Sequence, residues 1–397
     1  MKEEDLLDYH PKEEFDLLES REFIDESMSQ LLKGSRITIQ DHVVNTPDGS
    51  GQYLGCWPRD FTMICESGHP EIDANFIREG LELFLNNVGD SGGIPDWIPH
   101  GRLARVVHRL FSKHPFLDNA HWLIRLMVLY LEKTRAETGI LDLDFFSQNE
   151  SKLMGGLNAR GMLDENHELL YLKDDINKNL VIDWGFTDCI KKTGHVLFGN
   201  LLKLDTYRSL SEIHRYLGNK ENQMMFQSRY LNLQDELIEK LLDDSTHLFF
   251  SATGINKKID VWGNAFAVYL GVLPSGIEEI VTKSLLRNKE KYCWKGHVRH
   301  LFKPETWEAF MPWPASLLRF RPNTYQNGAY WGTPSGWVAY TLEKAKKGEG
   351  KKLLEDLLLY FRKIGIYECI HPRFIREYRK CKNYVASLAL PMRMVLR

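Results

Sequence analysis

The stretch VIDWGFTD (residues 181–188) sets two carboxylates, Asp183 and Asp188, around a Trp-Gly pair just before an amphipathic run. One acid is enough to cap a helix, so the second calls for another role. A carboxyl group held against Trp184 and Phe186 is partly desolvated, which favours its neutral form and makes it a proton donor near working pH. Closer to the carboxyl terminus, Glu368 in IYECIHP and Glu377 in FIREYRK flank the connection that leads into the last apolar helix, and either can supply another carboxylate. Two acids facing each other across a sugar, one protonating the leaving oxygen and the other activating water, are the minimum equipment for cleaving a glycosidic bond. Plain structural roles compete with this reading. The aspartates can be caps or can pair with Lys191 or Lys192, and the glutamates can form surface ion pairs, Glu377 especially because its neighbours are basic.

Other segments carry groups suited to holding a sugar. In GCWPRDFTM (55–63) a proline suits the first helical position, with Arg59 and Asp60 in the first turn beside Trp57. Arg59 and Asp60 make a hydrogen-bonding fork next to an apolar platform, although Asp60 also fits as a simple helix-dipole partner. Asp118 and Asn119 in FLDNAHW occupy a helix start, where an N-cap is the ordinary role. Asp96 in IPDW and Arg102 in PHGR have turn and surface alternatives of the same kind. YQNGAYWGTPSGW (325–337) adds Gln326, Asn327, Tyr330 and Trp331. None of the 14 histidines shows a metal-binding spacing, and no GxSxG, Walker A or GxGxxG run occurs, so neither metal nor cofactor is expected.

Composition agrees with a small neutral ligand. The 397 residues balance 51 basic against 54 acidic side chains without blocks, a net charge of -3, so nucleic acid and anionic membrane are not expected partners. No apolar run approaches the roughly 18 residues needed to span a bilayer. The amino terminus lacks the basic and apolar regions of a signal peptide, so a cytoplasmic location is expected. The six cysteines show no CxxC spacing, which leaves free thiols as the default. Aromatic residues make up 12% of the chain, and many lie beside Gly, Pro, Asp or Asn, as in the wall of a pocket for a flat, polar-edged ligand. The oligomeric state is not legible.

These residues need elements to hold them. Helical periodicity recurs along the whole chain and predicts helices near 12–33, 58–67, 70–87, 117–135, 143–157, 193–217, 220–242, 261–271, 275–288, 328–346, 350–364 and 383–394. Roughly every second one is apolar nearly all round, whereas its neighbours carry one apolar stripe and a charged face. Alternating inner and outer helices predict an all-α fold, an (α/α)6 barrel of six concentric hairpins. It is expected as a single domain over 1–397, with 1–35 as a peripheral helical segment. In such a toroid the loops before the inner helices gather at one end of the axis and line one pocket.

The order of these segments resembles that of the six-hairpin glycosidases, especially trehalases and neutral invertases. GCWPRDFTM is similar to their Trp-Asp or Arg-Asp helix opening, and GGIPDWIPHGR to the trehalase Ile-Pro-Asn-Gly-Arg segment. VIDWGFTD sits where trehalases carry the general acid, and the Glu368 region resembles their base segment. The resemblance covers roughly 55–390 and implies an O-glycosidase that inverts the anomeric centre of a small saccharide or glycan end. The trehalase acid aligns with Gly185 here, which moves the expected donor to Asp188, or else Asp183. The expected base is Glu368, or else Glu377. Trp57, Arg59, Asp60, Asp96, Arg102, Asp118, Asn119, Trp184, Gln326, Asn327, Tyr330 and Trp331 are then expected around the sugar. Two other classes fit the same toroid: a sugar isomerase or epimerase using histidine pairs such as His121 with His195 or His371, and a non-catalytic carbohydrate-binding protein.

Overall fold

The computed structural model describes residues 17–90, 92–111, 118–158, 169–172, 187, 189–310, 321–372 and 377–395. Asp183, Trp184 and Asp188 lie outside them. Among the described residues there are thirteen α-helices: α1 (Leu17–Ser35), α2 (Pro58–Cys65), α3 (Ala74–Leu85), α4 (Gly101–Phe111), α5 (Asn119–Thr138), α6 (Leu143–Asn158), α7 (Leu197–Tyr216), α8 (Lys220–Leu241), α9 (Val261–Leu270), α10 (Ser275–Arg287), α11 (Ser335–Ala345), α12 (Glu349–Ile364) and α13 (Ala386–Val395). All twelve predicted helices are present within a few residues of their expected ends, except that α11 starts seven residues later than expected. Local chemistry sets several of these ends. Asp73, Asn219 and Asp260 cap α3, α8 and α9 by accepting the backbone N–H three residues on. Gly139 and Gly271 close α5 and α9 in the left-handed conformation.

Six helices form a ring. α2 packs on α5, α5 on α7, α7 on α9, α9 on α11, α11 on α13, and α13 returns to α2. A second set lies outside it: α3 on α2 and α5, α6 on α5, α8 on α7, α10 on α9 and α11, α12 on α11, and α1 on α13. α1, expected at the periphery, buries Ile24, Met28 and Leu32 completely. The difference between the sets is visible in burial. Nine of the ten α9 residues are buried, whereas of 22 in α8 only Phe226, Leu233, Leu237 and Leu241 are. Within the ring the side chains of Phe198 and Phe266 stack at 4.7 Å, and Trp337 lies 4.5 Å from Phe266. The centre is therefore a packed aromatic plug rather than a channel.

The all-α expectation needs one correction. Short strands pair as β1 (Arg36–Ile39) with β2 (His42–Asn45), β3 (Gly55–Cys56) with β4 (Ile98–Pro99), β5 (Tyr171–Leu172) with β6 (Gly194–His195), and β7 (Leu242–Asp243) with β8 (Leu248–Phe249). A five-stranded antiparallel sheet also joins β9 (Cys293–Trp294), β10 (His297–Arg299), β11 (Tyr330–Trp331), β12 (Tyr367–His371) and β13 (Tyr378–Lys382), in spatial order 13-12-11-10-9. Most of these strands are two or three residues long, too short to show an alternating pattern.

The two ends of the ring differ chemically. At the carboxyl ends of the inner helices a cavity of about 490 Å³ is bordered by Arg125, Asp205, Arg208, Glu212, Tyr216 and Tyr269. Its charges are mutually engaged: Arg125 pairs with Glu66 and, at 2.6 Å, with Asp205, which also receives Arg208 at 2.5 Å. Arg208 also donates to the terminal carbonyl of α9 at Leu270 over 2.8 Å, offsetting the negative end of that helix. Among the described residues no helix is long and apolar enough to cross a membrane.

Candidate active site

The opposite end, where the inner helices begin, gathers the acids. Trp57 precedes α2 in extended conformation and Pro58 takes the first helical position, so Arg59 and Asp60 fall in the first turn, both buried. β12 carries Glu368, 1% exposed, toward the same place. The Tyr53 hydroxyl donates to Glu368 Oε1 over 2.7 Å, and the Lys380 ammonium of β13 bonds Oε2. The Tyr384 hydroxyl, just before α13, donates to Asp60 Oδ1. Each acid thus has a phenol donor delivered from far along the chain.

The loop that delivers Tyr53 is built on Asp48. Its buried carboxylate accepts from the backbone N–H of Ser50, Gln52 and Tyr53 at 2.9–3.1 Å. This loop is sewn to the segment bearing Tyr384 by Gly49 N–H to Asn383 O and Val385 N–H to Pro47 O, both 2.9 Å. Burial, with the nearby Glu368 charge adding to it, pushes the Tyr53 phenol well above its ordinary value, and burial with Asp60 does the same at Tyr384. Both phenols therefore stay protonated and remain donors. Burial also raises Asp60, while Arg59 and the Tyr384 hydroxyl pull it down and Glu368 adds to the rise. Lys380 sits 3.8 Å from the centre of the Tyr325 ring, which fixes the ammonium from its other side.

Some expected residues have other occupations. Asp118 is not a side-chain cap: its backbone is α-helical, and its Oδ2 accepts from Trp122 Nε1 at 3.1 Å and from Arg59 Nη1 at 3.4 Å. It is completely buried and orients Arg59 from behind. Asn119 donates to Ile94 O at 3.4 Å. Gln326 Oε1 accepts from the Cys189 backbone at 3.0 Å, and Asn327 Oδ1 from the Trp307 backbone at 2.8 Å, so both oxygens hold loops in place. Tyr330 and Trp331 are 1% and 2% exposed within β11, walls with no open stacking face. Glu377 bonds the Tyr360 hydroxyl of α12 at 2.9 Å and Arg379 Nε at 2.5 Å, with Lys295 at 3.7 Å, in a separate ion cluster. Asp96 is half-buried and Arg102 exposed.

Trp57 packs among other aromatic rings. It stacks on Trp97 at 4.9 Å and 6°, with Tyr53 meeting its edge at 5.4 Å. His121 bonds the Thr206 hydroxyl at 2.9 Å, His195 meets the Tyr171 ring, and His371 meets the Tyr330 ring. Sequence reasoning missed Tyr53, Tyr384 and Lys380. It also missed His300, whose Nε2 is 2.8 Å from the α9 cap Asp260 and whose ring stacks on Trp262 at 4.2 Å. The one available signal for Tyr384 was a tyrosine directly before an apolar helix that follows a candidate base.

Neither a family model nor a curated protein matches the sequence. Solved structures do match the fold. A rhamnosidase from Klebsiella oxytoca with rhamnose bound superposes with a TM-score of 0.64 at 11% identity, covering 97% of this chain and 64% of the rhamnosidase. The chain thus spans under two thirds of that protein. A GH63 mannosylglycerate hydrolase from Thermus thermophilus, in complex with Tris and D-glycerate, gives a TM-score of 0.61 at 14% identity over 93% of this chain and 99% of the other. A glycosidase variant with one glutamate replaced by alanine, in complex with glucose, gives 0.62 at 11% identity over 96% and 97%. A closed ring of inner helices backed by outer ones is the fold this chain shares with these glycosidase structures.

Proposed function

We propose that this chain is a cytoplasmic, single-domain (α/α)6 glycosidase that hydrolyses an O-glycosidic bond with inversion. Glu368 is the general base that activates water, and Asp188, or else Asp183, is the acid that protonates the leaving oxygen. The observation that carries the reading is Glu368 itself, buried at the amino-terminal end of the ring with both carboxylate oxygens engaged, close enough to Asp60 to act on its charge, and joined to Trp57 through Tyr53. Fixed in direction by Tyr53 and Lys380, it is suited to take a proton from a water held against the sugar. Asp60, backed by Arg59, is placed to accept sugar hydroxyls while Trp57 supports the ring face. Inversion calls for roughly 6.5–9.5 Å between acid and base, room for one water.

The test is a screen of aryl α- and β-glycosides and natural disaccharides, including rhamnosides, mannosides and glucosides, with Glu368→Gln and Asp188→Asn as controls. The reading expects one glycoside to be turned over with inversion and each variant to lose at least about a hundredfold in kcat, the scale of general acid–base catalysis. Unchanged turnover in both variants removes the assignment of roles. A wild-type protein that binds a sugar and cleaves none leaves the non-catalytic binding alternative.

A further inference from the structure

The region between Asp96 and Asp118 reads WIPHGRLARVVHRLFSKHPFL: three arginines, a lysine and three histidines in 21 residues without one Asp or Glu, in a chain of net charge -3. It forms β4 and then α4, which has no counterpart among the predicted helices. Arg102 and Arg105 are exposed, as are Leu103 at 68% and Val106 at 54%. Arg105 Nε reaches only its own helix, at Gly101 O over 3.3 Å, and among the described residues neither arginine has an acidic partner.

This basic helix is fixed to the candidate active site. β4 pairs with β3 immediately before Trp57, and His100 N–H donates to Leu54 O at 2.8 Å. His108 on α4 meets the edge of Trp97 at 5.2 Å, Trp97 stacks on Trp57, and Trp57 meets Tyr53, whose hydroxyl bonds Glu368. One unbroken line of aromatic rings therefore runs from the buried base to α4, whose exposed Arg102 and Arg105 meet no acid among the described residues. A neutral sugar gains nothing from such charge, whereas a saccharide bearing a carboxylate would be drawn along it and held.

We propose that the substrate is an anionic glycoside, carrying a carboxylate on the portion that leaves the pocket along Trp97 and α4, with Arg102 and Arg105 as the groups that select it. This rests on the glycosidase reading for its location at the Glu368 pocket, but the charge preference is measured separately. The experiment compares binding, by calorimetry on the full chain, of a neutral gluco-oligosaccharide and of the same oligosaccharide ending in a uronate. The wild type and an Arg102→Gln/Arg105→Gln double variant are compared, and the affinity of each for phosphatidylserine vesicles is measured in parallel. The expected result is about a tenfold preference for the uronate at low salt, the scale of two solvent-facing ion pairs, abolished by the double variant and weakened by high salt.

Equal affinity for the two oligosaccharides, or a preference that survives the double variant, overturns the proposal. Vesicle binding lost in the double variant with no saccharide preference also overturns it and makes α4 a membrane-contact helix. Hydrolysis of a neutral glycoside without charge preference removes this inference alone. Uronate preference without hydrolysis removes the glycosidase reading alone.

Discussion

At the scale of single residues the site is a set of buried acids each held by a distant phenol. Tyr384→Phe removes the hydroxyl that donates to Asp60 and is expected to cost about 1–3 kcal/mol in urea denaturation, because a buried carboxyl oxygen loses its partner. Asp60 also makes a pH prediction. Its folded value is raised above the ordinary 3.8, so the folded state binds more protons than the unfolded one between the two values. Stability is therefore fully present below the unfolded value and falls as pH rises through the folded value. Asp60→Asn should flatten that fall in thermal melts across mildly acidic pH. A steeper fall in the variant would contradict the burial argument. Glu368, Trp57 and Asp60 were open to selection in the sequence because they lie in segments that lead into predicted helices. Tyr53 and Tyr384 were not, because their bonds to Glu368 and Asp60 span 315 and 324 residues. Asp118 misled for a related reason: helix-start position suggests a cap, but burial between Arg59 and Trp122 redirects the side chain.

At the scale of elements, helix α2 must hold Arg59 and Asp60 firmly in place, and its outer neighbour α3 permits this through one glycine. A Cβ on Gly80 would lie 2.1 Å from the Phe61 ring, so no side chain larger than hydrogen fits while the two helices keep their spacing. Gly80→Ala is expected to destabilise by about 1–3 kcal/mol despite alanine's better helix propensity, measured by urea denaturation. A neutral or stabilising outcome would mean that Phe61 can turn aside. Helices of this kind announce themselves through long periodic patterns, which is why α1–α3 and α5–α13 were readable. α4 is the exception: GRLARVVHRLF spaces Leu103, Val106, Val107 and Leu110 as one apolar stripe, but in the structure Leu103 and Val106 face solvent rather than the core. The sheet that carries Glu368 escaped notice because three of its five strands are two or three residues long, and β12 and β13, though five long, show no clean apolar alternation.

At the scale of the whole molecule, the ring has a seam where α13 meets α2 and α1. Leu388, fully buried in α13, should cost about 2–5 kcal/mol when truncated to alanine, and the loss should appear as a lower urea midpoint for the entire molecule, since the ring has no independent half. Two buried imidazoles set the acid limit. Burial lowers both His121 and His297 to about 3, so each is neutral when folded and protonated when unfolded between about 3 and 6.5. Stability is full above the unfolded value and is lost as pH falls below it, by up to about 3 kcal/mol per ring near pH 4. Replacing both with glutamine should leave the melting temperature less sensitive to pH between about 4 and 6.5.

The seam has one more effect. Tyr53 and Asp60 come early in synthesis, Glu368 and Lys380 late, and Tyr384 and α13 later still. A nascent polypeptide that has already released five of its six central helices from the ribosome holds Asp60 without its phenol and an open wall where α13 belongs. On the glycosidase reading no half-made chain can attack sugars, and ring closure is the moment at which chemistry becomes available.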